Sequence, residues 1–286
     1  MNQKLEVVCS PHTGYCFGVK RAMTLIEEGL AKSELRIYTI GDVIHNPQAV
    51  EKLREKGVVP VNSMKELRVG DTLIVRAHGV DPSIRIQAEE MGINLIDTTC
   101  PFVRKIQEHV EKMSMETRQV IIIGDSSHPE VKGIAGRAEG GVIIIDSPAE
   151  ADEVEGVLQA GVVIQTTYAR EKAVEIIEVL RRKIPDLRSY DTICQATTLR
   201  REATLELSRS VDMMLVVGGK TSSNTKRLYK MCVDSGIEAR FIETSDEIMT
   251  EWFEKYRKIG LATGTSTPEW VVNDVLRRLH EIAAII

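Results

Sequence analysis

The sequence predicts an α/β protein: three small domains with mainly parallel sheets around a shared central site. Three observations carry this. Short β-branched runs alternate with longer amphipathic runs from end to end, as βαβ crossovers require. At 286 residues, 43% hydrophobic and 28% charged, the chain is long enough for two or three cores. Cys16, Cys100 and Cys194 lie 84 and 94 residues apart with 92 residues after the last, a spacing that suggests three units of similar size.

In chain order, a β-branched strand at Glu6–Cys9 precedes an amphipathic helix at 19–32. Strands at 36–40, 73–75 and Asn94–Asp97 come next, then a helix at 102–115. Strands at 120–123, Val142–Ile145 and 162–165 lead to a helix at Arg170–Lys183. The rest alternates: helix 198–210, strand Met213–Val217, helix 224–235, strands 240–242 and 259–262, and helix 269–284. The weakest seams are 97–101 and 184–191. They divide the chain into domains at 18–99, 100–191 and 192–268, with 1–17 and 269–286 as terminal segments packing on the core.

Composition excludes several classes. A net charge of −5 without a basic stripe leaves nothing to neutralise nucleic-acid phosphates. No apolar run approaches the roughly 18–20 residues that span a bilayer, and Met1–Glu6 has no signal-peptide apolar region. Five dispersed cysteines make a disulfide framework a poor fit. A reducing cytoplasm is expected, where thiols are free, catalytic or metal-bound.

Each of the three spaced cysteines lies in or beside a Gly- or Thr-rich turn between a strand-like and a helix-like run: Gly14-Tyr15-Cys16-Phe17-Gly18, Asp97-Thr98-Thr99-Cys100-Pro101 and Asp191-Thr192-Ile193-Cys194-Gln195. Two readings stand at this point. The thiols are buried and inert, as cysteines commonly are, or each gives one thiolate to a shared centre. An iron–sulfur cluster on three thiolates has one iron without a protein ligand.

His45, His78 and His128 each follow a predicted strand, where parallel sheets place their ligands. His12 is ambiguous, and His109 and His280 fall inside helices. Glu130 follows Pro129, a residue suited to a first helical position, and reads as a dipole-compensating carboxylate or as a proton donor beside His128. Gly218-Gly219-Lys220-Thr221-Ser222-Ser223-Asn224 opens a helix like the end of a Walker A loop, but Met214 stands where that pattern needs glycine. What survives is an anion site at a helix start. Ser266 and Thr267 read as a second such site or a helix cap. Thr166 and Thr167 end a strand. Cys194 and Arg200 match the Cys-x5-Arg spacing of cysteine phosphatases, yet Ile193 replaces the expected histidine and the loop has no glycine. Cys9 and Cys232 read as structural.

Together these stretches resemble the LytB family of 4-hydroxy-3-methylbut-2-enyl diphosphate reductases. The resemblance extends through Val43-Ile44-His45-Asn46, Ala77-His78-Gly79-Val80, His128-Pro129-Glu130-Val131-Lys132-Gly133, Gln165-Thr166-Thr167, Ser222-Ser223-Asn224 and Thr263-Gly264-Thr265-Ser266-Thr267-Pro268. It implies three α/β domains around one 4Fe–4S cluster held by Cys16, Cys100 and Cys194, whose unligated iron takes the substrate hydroxyl. It further implies that His45, His78, His128, Ser222, Ser223, Asn224 and Ser266 hold the diphosphate, with Thr197 a weaker candidate. Glu130 and Thr166, beside His128, would manage the proton. The expected reaction removes the allylic hydroxyl in the methylerythritol phosphate route to isoprenoids. No nicotinamide or flavin fingerprint is present, so the expected electron donor is a small protein of ferredoxin or flavodoxin type. A redox-neutral hydro-lyase and a non-catalytic diphosphate-binding module are the alternatives.

Overall fold

A computed structural model describes residues 5–32 and 36–285. Residues 1–4, on which the reading of no signal peptide partly rests, lie outside the described residues, as does 286 at the end of the predicted terminal segment.

The main elements, in order, are β1 (Glu6–Cys9), α1 (Phe17–Lys32), β2 (Ile37–Ile40), α2 (Pro47–Glu55), β3 (Val58–Val61), β4 (Thr72–Val75), α3 (Pro82–Glu90), β5 (Asn94–Asp97), α4 (Pro101–Met115) and β6 (Gln119–Ile123). Then come α5 (Pro129–Ala135), β7 (Val142–Ile145), α6 (Pro148–Asp152), β8 (Gln159–Ile164), α7 (Arg170–Lys183), β9 (Asp186–Ser189), α8 (Gln195–Ser208), β10 (Met213–Val217), α9 (Ser223–Asp234), β11 (Glu238–Ile242), β12 (Lys258–Thr263) and α10 (Glu269–Ala283). Helices α2 to α6 all open on proline. Proline suits that position because its missing N–H would have no partner in the first turn.

Strands form three four-stranded sheets, ordered β3-β2-β4-β5, β7-β6-β8-β9 and β11-β10-β12-β1. Every pairing is parallel. All three share one winding: the first and third strands are central, the second and fourth are edges. The third sheet draws its fourth strand from the other end of the sequence, with Glu6 opposite Lys258 and Cys9 opposite Leu261. Both ends of the described chain thus build this sheet. Val271, Val272, Val275, Leu279 and Ile282 of α10 pack with Leu215, Val217 and Leu261 in its core.

Central strands read as continuous apolar runs because both faces are covered; all five residues of β10 are buried. Sequence reading passed over two edge strands, β9 because it is polar and β3 because it is short and interrupted by proline. In β9, Asp186-Leu187-Arg188-Ser189, only Leu187 is even half-buried. In β3, Pro60 is tolerated because an edge strand has a side that needs no ladder bond. The presumed seam at 184–191 therefore contains a strand.

The chain divides into two compact units. One comprises Met1–Lys20, Ile44–Glu55 and Gln195–Ile286 and holds the third sheet. The other comprises Arg21–Val43 and Lys56–Cys194 and holds the first two. No helix among the described residues is long and apolar enough to cross a membrane.

Leu261 is fully buried between β1 and β10. Leu261→Ala should cost about 2–5 kcal/mol, the range for truncating a core leucine. Urea unfolding of the variant checks this, and an unmoved midpoint would contradict the packing described.

Candidate active site

In a doubly wound sheet the chain leaves the first and third strands toward opposite faces, opening a crevice at their carboxyl ends. The predicted residues sort onto these positions. His45 follows β2 and His78 follows β4; His128 and Glu130 follow β6 and Thr166 follows β8. Ser222, Ser223 and Asn224 follow β10, and Ser266 follows β12. The three spaced cysteines follow the fourth strands: Cys100 after β5, Cys194 after β9 and Cys16 after β1. Thr197 is the exception, buried in the first turn of α8.

Each of these cysteines immediately precedes a helix: α1, α4 and α8. Each is also pinned by its backbone to the residue two positions past its sheet's third strand. Cys16 N–H donates to Thr265 O at 3.0 Å, Cys100 N–H to Ala77 O at 2.9 Å and Cys194 N–H to Thr166 O at 2.9 Å. Cys100 is the N-cap of α4, where its side chain makes no capping hydrogen bond. All three are half-buried and none is in a disulfide, so the set has the soft donors and access that an iron–sulfur cluster needs. The other two cysteines differ. Cys232 is fully buried, and burial pushes its thiol up to about 11. Cys9 is exposed at the end of edge strand β1, so of the pair set aside as structural only Cys232 is a core residue.

One buried charge accompanies Cys16. Burial pushes the Arg200 guanidinium down to about 10 while Cys16 opposes the shift, so Arg200 stays charged at neutral pH. Its hydrogen bonds go to Gly14, Thr263 and Gly264, so the phosphatase-like spacing from Cys194 is incidental.

In the unit of the first two sheets, His128 is the N-cap of α5 and accepts the Glu130 N–H on Nδ1 at 3.1 Å. A neutral imidazole that accepts on Nδ1 carries its proton on Nε2, which is then a donor. The His78 ring lies edge-on to His128, centroids 5.5 Å apart. Glu130 is only 2% exposed. Its Oε1 accepts the Thr166 N–H and its Oε2 the Thr166 hydroxyl, both at 2.7 Å. Thr166 thus joins the carboxyl group to the loop of Cys194 through its own carbonyl. Sequence reading used Gln165 only as part of a motif. Its Oε1 accepts the Asp125 N–H at 3.1 Å, while its buried Nε2 has no hydrogen-bond partner among the described residues. A fully buried polar residue at the end of an apolar strand was the available signal.

The other unit holds the residues predicted for an anion site. Ser222 caps α9 by accepting the Thr225 N–H at 3.3 Å. Asn224, in the first turn, is 3% exposed, and neither Nδ2 nor Oδ1 has a hydrogen-bond partner among the described residues. Burying an unpaired amide costs about 1–3 kcal/mol. Ser266 Oγ donates to His45 O at 3.2 Å. Gly219 passes so close that a Cβ there would sit 2.2 Å from the same carbonyl oxygen. Lys220 turns to Glu247 at 2.6 Å, unlike the phosphate-binding lysine of a Walker loop. The cap expected of Ser266 and Thr267 is not formed. The N-cap of α10 is Pro268, and the Thr267 hydroxyl donates to Val217 O at 3.0 Å.

Comparisons with known proteins agree with the fold and with the family resemblance. The family model described as LytB protein matches residues 7–280. A 4-hydroxy-3-methylbut-2-enyl diphosphate reductase of Citrifermentans bemidjiense is 38% identical over 278 residues, 97% of this chain and 98% of that one. The enzyme of the same name from Caldanaerobacter subterraneus subsp. tengcongensis is 40% identical over 281 residues, again 97% and 98% of the two chains. A solved (E)-4-hydroxy-3-methyl-but-2-enyl diphosphate reductase, described as the terminal enzyme of the non-mevalonate pathway, is 36% identical. It superposes with a TM-score of 0.73, covering 97% of this chain and 99% of its own. The Plasmodium falciparum reductase structure is 28% identical with a TM-score of 0.91, covering 96% and 87%.

Gly219→Ala should displace the loop from the His45 carbonyl and weaken binding of inorganic pyrophosphate about tenfold, the loss of one charge-assisted hydrogen bond. Calorimetric titration measures it; unchanged affinity would remove this corner from the anion site.

Proposed function

The chain belongs to the LytB protein family, and from that premise we infer that it works as a 4-hydroxy-3-methylbut-2-enyl diphosphate reductase. The allylic hydroxyl leaves as water, two electrons and two protons are taken up, and isopentenyl and dimethylallyl diphosphates are formed. The observation that carries the chemistry is the buried Glu130 carboxyl clasped by Thr166 at the β6/β8 crevice. A poor leaving group needs a positioned acid, and a carboxyl sealed from water at the carboxyl end of a sheet supplies one.

Cys16, Cys100 and Cys194 are the proposed ligands of one 4Fe–4S cluster, supported by their equivalent places before three helices and by the family resemblance. Three protein thiolates leave one iron without a protein ligand. When bound, the cluster supplies single-electron transfer and Lewis acidity toward the hydroxyl oxygen. The other roles belong to the protein. Ser222, Ser223, Asn224 and Ser266, with His45 and His78, are assigned to the diphosphate. Support comes from the unpaired Asn224 amide and from the free backbone N–H groups of a helix start. Holding the diphosphate fixes the allyl group at a distance from the bond that breaks. His128 presents its Nε2–H to the substrate. Thr197, three residues past Cys194, borders the same pocket in this reading. Glu130 delivers the proton, and Thr166 holds its carboxyl and passes the proton on.

Electrons come from a partner of ferredoxin or flavodoxin type, since the sequence has no fingerprint for a nicotinamide or flavin. Three half-buried thiols outside any disulfide suit a reducing compartment, and we assign the protein to the cytoplasm.

Anaerobically prepared protein should contain one oxygen-labile cluster by iron and sulfide counts and EPR. Serine at Cys16, Cys100 or Cys194 should abolish or degrade it, whereas Cys9→Ser and Cys232→Ser should retain it. Cluster loss in either of the last two would overturn the ligand assignment.

Glu130→Gln keeps the size of the side chain but cannot donate a carboxylic proton. At saturating substrate and reductant it should lower turnover about 10²–10⁴-fold with the cluster intact, and Thr166→Val should lower it less. Turnover without any reductant would instead indicate the redox-neutral hydro-lyase, and full activity of Glu130→Gln would return Glu130 to a purely structural role.

A further inference from the structure

Arg200 has no part in the roles assigned above, yet its buried guanidinium bridges the Cys16 loop at Gly14 and the end of β12 at Thr263 and Gly264. The comparison between sheets explains why. In each sheet, the last residue of the third strand offers its carbonyl beside the cysteine loop. In two sheets a threonine two residues before the cysteine occupies that carbonyl. Thr98 Oγ1 donates to Val75 O at 2.6 Å, and Thr192 Oγ1 donates to Ile164 O at 2.5 Å. Each bond staples the loop of the fourth strand to the end of the third.

The corresponding residue before Cys16 is Gly14. Its φ of +76° lies in the left-handed region, where a β-branched residue is strained. A Cβ there would also crowd Glu269 Cγ at 3.0 Å. A threonine staple is therefore unavailable. The equivalent carbonyl, Thr263 O, instead accepts Arg200 Nη1 at 2.9 Å. The same nitrogen donates to Thr263 Oγ1 and Gly264 O, each at 2.9 Å, and Nη2 donates to Gly14 O at 3.0 Å. Gly14 N–H completes the link on Thr263 Oγ1 at 3.1 Å. One turn of loop further on, Cys16 N–H meets Thr265 O.

We infer that Arg200 is the positioning residue of Cys16, a guanidinium staple that replaces the threonine of the other two loops and fixes Gly14–Cys16 against Thr263–Thr265. Topology supplies the need. Strands β4 and β5, like β8 and β9, are joined by one short crossover, but β1 reaches β12 from the opposite end of the sequence. Its loop lacks a short covalent tether, so ordering it costs more chain entropy. Only a planar fork with several donors satisfies three carbonyls and a hydroxyl at once, and a lysine ammonium has neither that reach nor that shape.

The consequence for the cluster rests on the reductase reading; the ordering of the loop does not. The test is amide hydrogen exchange by mass spectrometry on the full-length, cluster-loaded protein, wild type against Arg200→Lys and Arg200→Met, with chelator-induced iron release measured alongside. In the wild type, Gly14 and Cys16 amides should be protected. Both variants should speed their exchange about tenfold or more, the loss of at least one charge-assisted hydrogen bond. Peptides carrying Cys100 and Cys194 should not change, and iron release should quicken. Thr192→Val should do the converse, loosening the Cys194 peptide alone. Unprotected Gly14 and Cys16 in the wild type, or unchanged exchange in Arg200→Lys, would overturn the assignment. Uniform acceleration through Met213–Val217 would overturn it too, by reducing Arg200 to a general stabiliser. Should Arg200→Met not accumulate as folded protein, Arg200→Lys and the wild-type protection decide. Loosened exchange with unchanged iron release would keep the staple and remove Cys16 from the ligands, which separates the two readings.

Discussion

Parallel pairing is the constraint from which the rest follows. When all four strands of a sheet run the same way, every loop after a strand and every helix start lies at one end. Helix starts carry unpaired N–H groups and the positive end of the dipole. That end therefore collects the three spaced cysteines, the buried Glu130 carboxyl and the polar helix starts. The repeated winding makes it specific. In all three sheets the crevice between first and third strands carries the polar candidates, and the fourth strand delivers the cysteine.

Such a concentration of polar groups has an energetic cost. Asn224 and Gln165 bury amide atoms with no partner among the described residues, and Arg200 is desolvated as a cation. Each unpaired group costs about 1–3 kcal/mol. The offset lies in the same sheets a few residues earlier, where Ile121–Ile123 and Met213–Val217 are fully buried. Stability is built in the strand interiors and given up at their carboxyl ends, where a ligand that pairs with Asn224 would recover part of it.

Much of this was legible in the sequence. Alternating apolar runs signal parallel α/β sheets, and the His45, His78 and His128 loops follow strands as that architecture demands. What stayed hidden depended on partners distant in sequence. Nothing local shows that Glu6–Cys9 completes a sheet begun at Met213, because pairing of an edge strand is decided by register with β12. The polar Asp186–Ser189 edge carries too little apolar signal to read as a strand. Arg200 is the clearest case: its local spacing from Cys194 suggests a phosphatase loop, while its contacts lie 63 and 186 residues away at Thr263 and Gly14.

The Glu130–Thr166 pair shows how one geometry serves two protonation states. Accepting the Thr166 N–H and O–H suits a carboxylate, and His128 fixes the helix start by taking the Glu130 N–H. A carboxylate held this way is not yet an acid. Protonation at Oε2 needs no movement of heavy atoms: the hydrogen bond reverses, Glu130 donates to Thr166 Oγ1, and that hydroxyl is free to donate onward. Oε1 stays anchored on the Thr166 N–H throughout, so the side chain does not swing away when its charge changes. The Thr166 hydroxyl lies 2.7 Å from that carboxyl, and valine there would keep the backbone anchor while removing the hydroxyl. The backbone of Thr166 also receives the Cys194 N–H. The Glu130 carboxyl and the Cys194 loop are thereby both referenced to one residue.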